Sequence, residues 1–338
     1  MTGESGRDLR FRLRGLGLSD RAISAAWPHW WSEDAEASAS ARAELRFGIA
    51  RRLGLDPHSL LDDRDEPRFL WREEARFKHL SGESERERAG ITSFGRAIAS
   101  ILVSATSPPE GDLAGVAARD LRENVLASGG QFVTLVDLLS LSWALAVPVV
   151  HLRVFPWPQK RMAAMTVRVG GRSTVLLGKD SAYPATIAFY LAHELGHIAL
   201  EHVAADRQIV DLEGETPAAN GGDEEERDAD AFALELLTGA PEPTVLATGP
   251  GWAHGRALAH AALESAQELR IEPGTLALAY GHSTGDWQTA NAALGNIYAA
   301  ARPVWTQVNA IARQQLELGD QPVDAVDFLD AVLGEAGE

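Results

Sequence analysis

Residues 190–200 read YLAHELGHIAL, two histidines four positions apart with a glutamate directly after the first. On an α-helix, positions 193 and 197 lie about one turn apart, so both imidazoles face the same way. Both rings can then reach one ion at about 2.0–2.1 Å. Glu194 stands about 100° round the helix from His193, beside such an ion rather than on it. That is the place of a general base acting on a water at the metal. The competing reading is a packed helix that carries the pattern by chance. Composition argues against it. From Ile187 to Leu200 the polar side chains are Tyr190, His193, Glu194 and His197. The stripe Ile187, Leu191, Leu195 and Ile198 lies on the side away from the histidines, so the helix is apolar nearly all round and belongs at a domain centre. A glutamate and two imidazoles buried there are costly unless a cation compensates them.

A catalytic zinc site needs a third protein ligand and one open position. The chain contains no cysteine. Thiolate sites, disulfides and cysteine nucleophiles are thereby excluded, and the ligand must be His, Asp or Glu. The acidic run EEERDADAFALELL, residues 224–237, is the obvious donor. Its apolar face is Ala229, Phe232, Ala233 and Leu236. Glu226 and Asp230 form an i, i+4 pair and point the same way. The first can ligate zinc, and the second can accept the outward N–H of a ligating histidine and fix its tautomer. Glu225 and Asp228 remain alternatives, because acids also favour an exposed N-terminal turn.

The run TVLLGKDSAYPATIAFYLAHELGHIAL, residues 174–200, followed by ERDADAFALELL, residues 226–237, resembles the ImmA/IrrE family of zinc metallopeptidases. Its members carry a strand, a helix with H-E-x-G-H, and a later helix of the form E-x-E-A-N-x-F-A-x-E-L-L. The resemblance spans roughly residues 92–240. It implies an α+β, mostly α fold with a zincin-like core, a small mixed sheet and a central H-E-x-x-H helix, flanked by helical domains. It also implies that His193, His197 and Glu226 hold Zn2+ and that Glu194 is the catalytic base. Asp230 stands where the family usually has asparagine, and Asp228 replaces a frequent glutamate. The activity implied is a zinc-dependent endopeptidase that cuts a regulatory protein, typically a DNA-binding repressor in a stress or defence programme. Tyr190, His202, Tyr183 and His151 are candidates for stabilising the oxyanion. The rival reading is a non-catalytic regulator or toxin-type interaction protein that keeps the peptidase fold as scaffold. An intact Glu194 favours the enzyme.

Around this core the expected organisation is a helix-turn-helix-like domain over residues 1–65, a charged linker over 66–91, the metallopeptidase domain over 92–240 and a helical domain over 241–338. Gly170-Gly171 between two β-rich runs signals a hairpin. The net charge of −17 opposes non-specific nucleic-acid binding by the whole chain. Residues 1–60, however, hold nine arginines against eight acids. That allows DNA contact through Arg10, Arg12, Arg14 and Arg21, or docking of a protein partner through Trp27, Trp30 and Trp31. In the C-terminal part, Leu276, Leu278, Trp287 and Ile297 read as core, and His254, His260 and His282 as structural. The polar, arginine-rich start and the lack of a long apolar run predict a cytoplasmic chain with no membrane partner.

Overall fold

The computed structural model describes residues 5–62, 64–71, 75–77, 85–108, 111–158, 162–203, 208–212, 224–242, 246 and 255–334. His254 and most of the acidic, glycine-bearing loop before Glu226 lie outside the described residues.

The chain opens with α1 (Gly6–Gly15), α2 (Asp20–Ala25), α3 (Glu33–Ala37), α4 (Ala39–Leu53) and α5 (Pro57–Leu61). Ser5, Ser19, Ser32, Ser38 and Asp56 cap their starts, each side chain accepting from a first-turn backbone N–H. The short strand β1 (Ala75–Phe77) follows, then α6 (Glu85–Ser104), α7 (Ala118–Ala127) and α8 (Leu135–Ala144). The centre of the chain supplies β2 (Val149–His151), β3 (Met162–Val169), β4 (Arg172–Leu177), α9 (Pro184–Ala199), β5 (Gln208–Leu212) and α10 (Glu224–Thr238). The remainder is helical: α11 (Gly255–Leu269), α12 (Pro273–Thr284), α13 (Trp287–Ile297), α14 (Val304–Gln315) and α15 (Val323–Leu333).

The fold is thus α+β and mostly helical, with one small mixed sheet in the order β1-β5-β3-β4-β2. β3 pairs antiparallel with β4 and β5, while β1–β5 and β2–β4 are parallel. Gly170 and Gly171 take φ of 57° and 81° at the β3–β4 turn, the left-handed pair that a two-residue hairpin requires. Strand residues alternate between two faces. Val150, Met165, Val167 and Leu176 share a core with Phe94, Ile98 and Leu102 of α6. Val149, Ala164, Val175 and Leu177 share another with Ile187, Leu191 and Leu195 of α9. The sheet is therefore covered on both sides, and α9 is central. Ile187, Leu191 and Leu195 are at most 1% exposed, and burial of each contributes about 1.5–3 kcal/mol.

The apolar core runs across the domain limits read from the sequence. Leu9, Leu13, Ile23, Ile49 and Leu53 pack in one cluster with α6, the sheet, and Phe328 and Leu329 of α15. The stretch 66–91 is more than a tether. Phe69 is buried in that cluster, Ala75–Phe77 pairs with β5, and α6 already begins at Glu85. The C-terminal part divides in two. α11–α13 enclose Leu258, Ala259, Ala277 and Leu294 as a bundle with its own core. α14 lies on β2 and α8, and α15 returns to α2, α4 and α6. The buried guanidinium of Arg52 ties this return together, bonding to the Ala26 carbonyl and to Asp324.

Candidate metal centre

Pro184 at the first turn starts α9, since its missing N–H costs nothing there. The helix then runs without interruption through His193, Glu194 and His197, which are 5%, 0% and 0% exposed. α10 crosses it closely at Gly196. A Cβ added there would stand 3.2 Å from both the Ala229 carbonyl oxygen and Phe232. That near approach brings the acidic first turn of α10 over the histidines.

Among the described residues, His193, His197 and Glu226 offer one ligand atom each within 4.8 Å of one another and could hold a metal ion. The two Nε2 atoms lie 3.0 Å apart, and the Glu226 oxygens lie 3.5 Å from His193 Nε2 and 3.4 Å from His197 Nε2. The Nδ1 of His193 is 2.8 Å from Asp230 Oδ1. A carboxylate only accepts, so His193 Nδ1 carries a proton, and the neutral form of the ring would present its lone pair at Nε2. The Nδ1 of His197 is 2.8 Å from Nδ1 of His202. When that nitrogen donates outward, two imidazole lone pairs and a carboxylate face one point, where a cation could be held. A shared proton would satisfy only the two nitrogens. A metal cation bound there would satisfy all three donors.

One oxygen of Glu194 meets the sheet. Its Oε2 accepts from Thr166 Oγ1 at 2.5 Å. Thr166 is on the α9-facing side of β3, two residues from Ala164. Glu194 is not part of the three-residue cluster.

Of the other residues singled out from the sequence, Glu225 and Asp228 are outside the ligand cluster. His202 sits behind His197. Glu201 adopts φ of 57°, and His202 N–H donates to the His197 carbonyl at 2.9 Å, which folds the chain back after the helix. His151 is buried away from the site, with Nε2 2.8 Å from the Lys179 carbonyl oxygen. Tyr183 stacks on Tyr298 at 5.6 Å between ring centroids. Tyr190 lies on α9 one turn before His193 and lines a cavity beside it. Thr166 and Arg122 were not singled out from the sequence. The Arg122 guanidinium is buried and donates to the Leu236, Leu237 and Arg270 carbonyls, fixing the C-terminal end of α10. Burial, then the nearby Arg270 charge, lowers its pKa. Arginine alone serves here, because it keeps its charge when desolvated.

Three of the four N-terminal arginines named from the sequence are engaged within the protein, and the fourth, Arg21, is exposed. Arg10 lies 3.8 Å over the Trp27 ring, Arg12 donates to the Ser59 and Asp62 carbonyls, and Arg14 pairs with Asp20 at 2.7 Å. Trp27 and Trp31 pack partly buried on the core, and Trp30 is 37% exposed. Among the described residues, no helix is long and apolar enough to cross a membrane. Compared with models of protein families, with curated proteins and with solved structures, the chain matches none.

Proposed function

We propose that the chain is a zinc-dependent endopeptidase of the ImmA/IrrE type with a zincin-like core. The observation that carries the reading is the convergence of His193, His197 and Glu226 from two helices, with Asp230 setting the tautomer of His193. Zinc held there supplies Lewis acidity, lowering the pKa of water and polarising a carbonyl. The rest of the work falls to residues of the chain. Glu194, oriented by Thr166, takes the proton of the attacking water and passes it to the leaving amine as the peptide bond breaks. His193, His197 and Glu226 fix where that happens, and α9 and α10 keep the surroundings apolar.

The substrate we propose is a regulatory protein, a DNA-binding transcriptional repressor whose loss releases a stress or defence programme. The resemblance of the two helices carries that part. The net charge of −17 supports it, since an acidic body draws a basic substrate, more strongly at low salt. The test pairs metal analysis of the purified chain with cleavage of repressor-like proteins encoded beside its gene. Glu194→Gln retains the metal and loses cleavage. Cleavage by that variant at the wild-type rate refutes the role of Glu194, and a wild-type chain that binds no metal refutes the whole reading.

A further inference from the structure

A cavity that the hydrolytic chemistry does not use opens along α9, its lining ending at Tyr190, one helical turn before His193. Its volume is about 430 Å³, within the usual range of ligand pockets. Phe189 and Tyr190 of α9 and Leu237 of α10 form one side. Leu278 of α12 and Trp287 of α13 form the other. Lys179, His282, Asn291 and two threonines, Thr186 and Thr275, add polar groups to a lining that is otherwise apolar and aromatic. The cavity therefore exists because the α11–α13 bundle sits on α9 and α10.

Its position indicates what enters it. Thr186, Phe189, Tyr190 and His193 lie along one face of α9, and the Phe189 ring is 6.5 Å from that of His193. Three residues of helix rise about 4.5 Å. An extended chain advances about 3.3 Å per residue, so the cavity lies one to two residues of substrate from the bond being cut. We propose that this cavity is the specificity pocket of the metal centre, taking one large apolar side chain, aromatic by preference, of an extended polypeptide. The inference rests on the peptidase reading. It assigns a task to the C-terminal bundle, which selects substrate while α9 and α10 carry the chemistry.

The test separates the two. The zinc-loaded chain is titrated calorimetrically with glycine hydroxamate and with phenylalanine hydroxamate, which share the chelating group and differ in the side chain. Burial of the benzyl group makes the second bind about tenfold tighter or more. Ala279→Trp fills the cavity from α12 and brings the ratio to about one. Asn291→Trp does the same from an exposed position, should the first variant not fold. A ratio near one in the wild type, with glycine hydroxamate bound, overturns the pocket and leaves the metal centre standing. A ratio that stays tenfold in a folded, filled variant also overturns it. Binding of neither hydroxamate overturns the metal centre and the pocket together.

Discussion

Replacement of Asp230 by alanine tests the metal centre without touching a ligand. The Asp230 side chain is 16% exposed and holds His193 Nδ1 at 2.8 Å. Without it, the ring is free to turn and to place its proton on Nε2, where the lone pair is needed. Loss of such a partner typically weakens metal affinity about 10- to 100-fold, or about 1.4–2.7 kcal/mol. The assay is thermal unfolding with and without zinc. At free zinc about 1,000-fold above the wild-type Kd, binding stabilises the native chain by about 4.1 kcal/mol. In Asp230→Ala the same zinc contributes about 1.4–2.7 kcal/mol. For 338 residues the unfolding entropy is about 0.7 kcal/mol/K, so 1 kcal/mol moves Tm by about 1.4 °C. Zinc should therefore raise Tm by about 6 °C in the wild type and about 2–4 °C in the variant. Equal shifts in both refute the tautomer argument. No shift in either refutes a metal site.

Thr166→Val removes the hydrogen bond to Glu194 while keeping its shape, and cleavage should slow about 5- to 30-fold with metal content unchanged. An unaltered rate means the threonine does not orient the base. Arg122→Met leaves two carbonyls at the end of α10 and the Arg270 carbonyl after α11 without their donor and should lower unfolding free energy by about 2–4 kcal/mol, read from denaturant midpoints. A neutral substitution there would show that water replaces the guanidinium. Tyr298 donates to Glu272 at 2.7 Å, and burial, then the Glu272 charge, raises its pKa far above the ordinary phenol value of 10.0. Its neutral form is favoured in the fold, so the contribution is full below pH of about 10 and is lost as pH rises above it. Tyr298→Phe should remove that part of the alkaline loss of stability. The measurement is unfolding free energy between pH 8 and about 11, and parallel curves for the two proteins would exclude the effect.

The candidate histidine ligands were legible because their arrangement is local, whereas the choice of Glu226 over Glu225 and Asp228 came from the resemblance. Helical spacing alone puts His193 and His197 on one face, and the same rule pairs Glu226 with Asp230 on the next helix. The β3–β4 hairpin was legible for a similar reason, since Gly170-Gly171 is a two-residue signal. Thr166 was not, because alternation along β3 gives two faces without saying which one meets α9. His202 was named, but its place behind His197 was hidden by Glu201, a residue type that seldom adopts the left-handed turn that brings the ring back. The limits read at 65 and 91 followed charge density. The core followed Leu9, Leu53, Phe94 and Phe328, whose meeting is a long-range event that no local pattern encodes. In the C-terminal part Leu276 is core, as its spacing indicated, whereas Leu278 and Trp287 also face the cavity beside the metal centre.

β2 stands at the edge of the sheet, and Asn309 of α14 occupies the place where a further strand would dock. Its Oδ1 accepts from the His151 N–H at 2.7 Å and its Nδ2 donates to the His151 carbonyl at 2.8 Å, while Arg153 N–H is taken by the Val332 carbonyl. One amide side chain thus imitates a neighbouring backbone and closes that border against aggregation by edge pairing. It also bars an incoming polypeptide from being read there as an extra ribbon through its main chain.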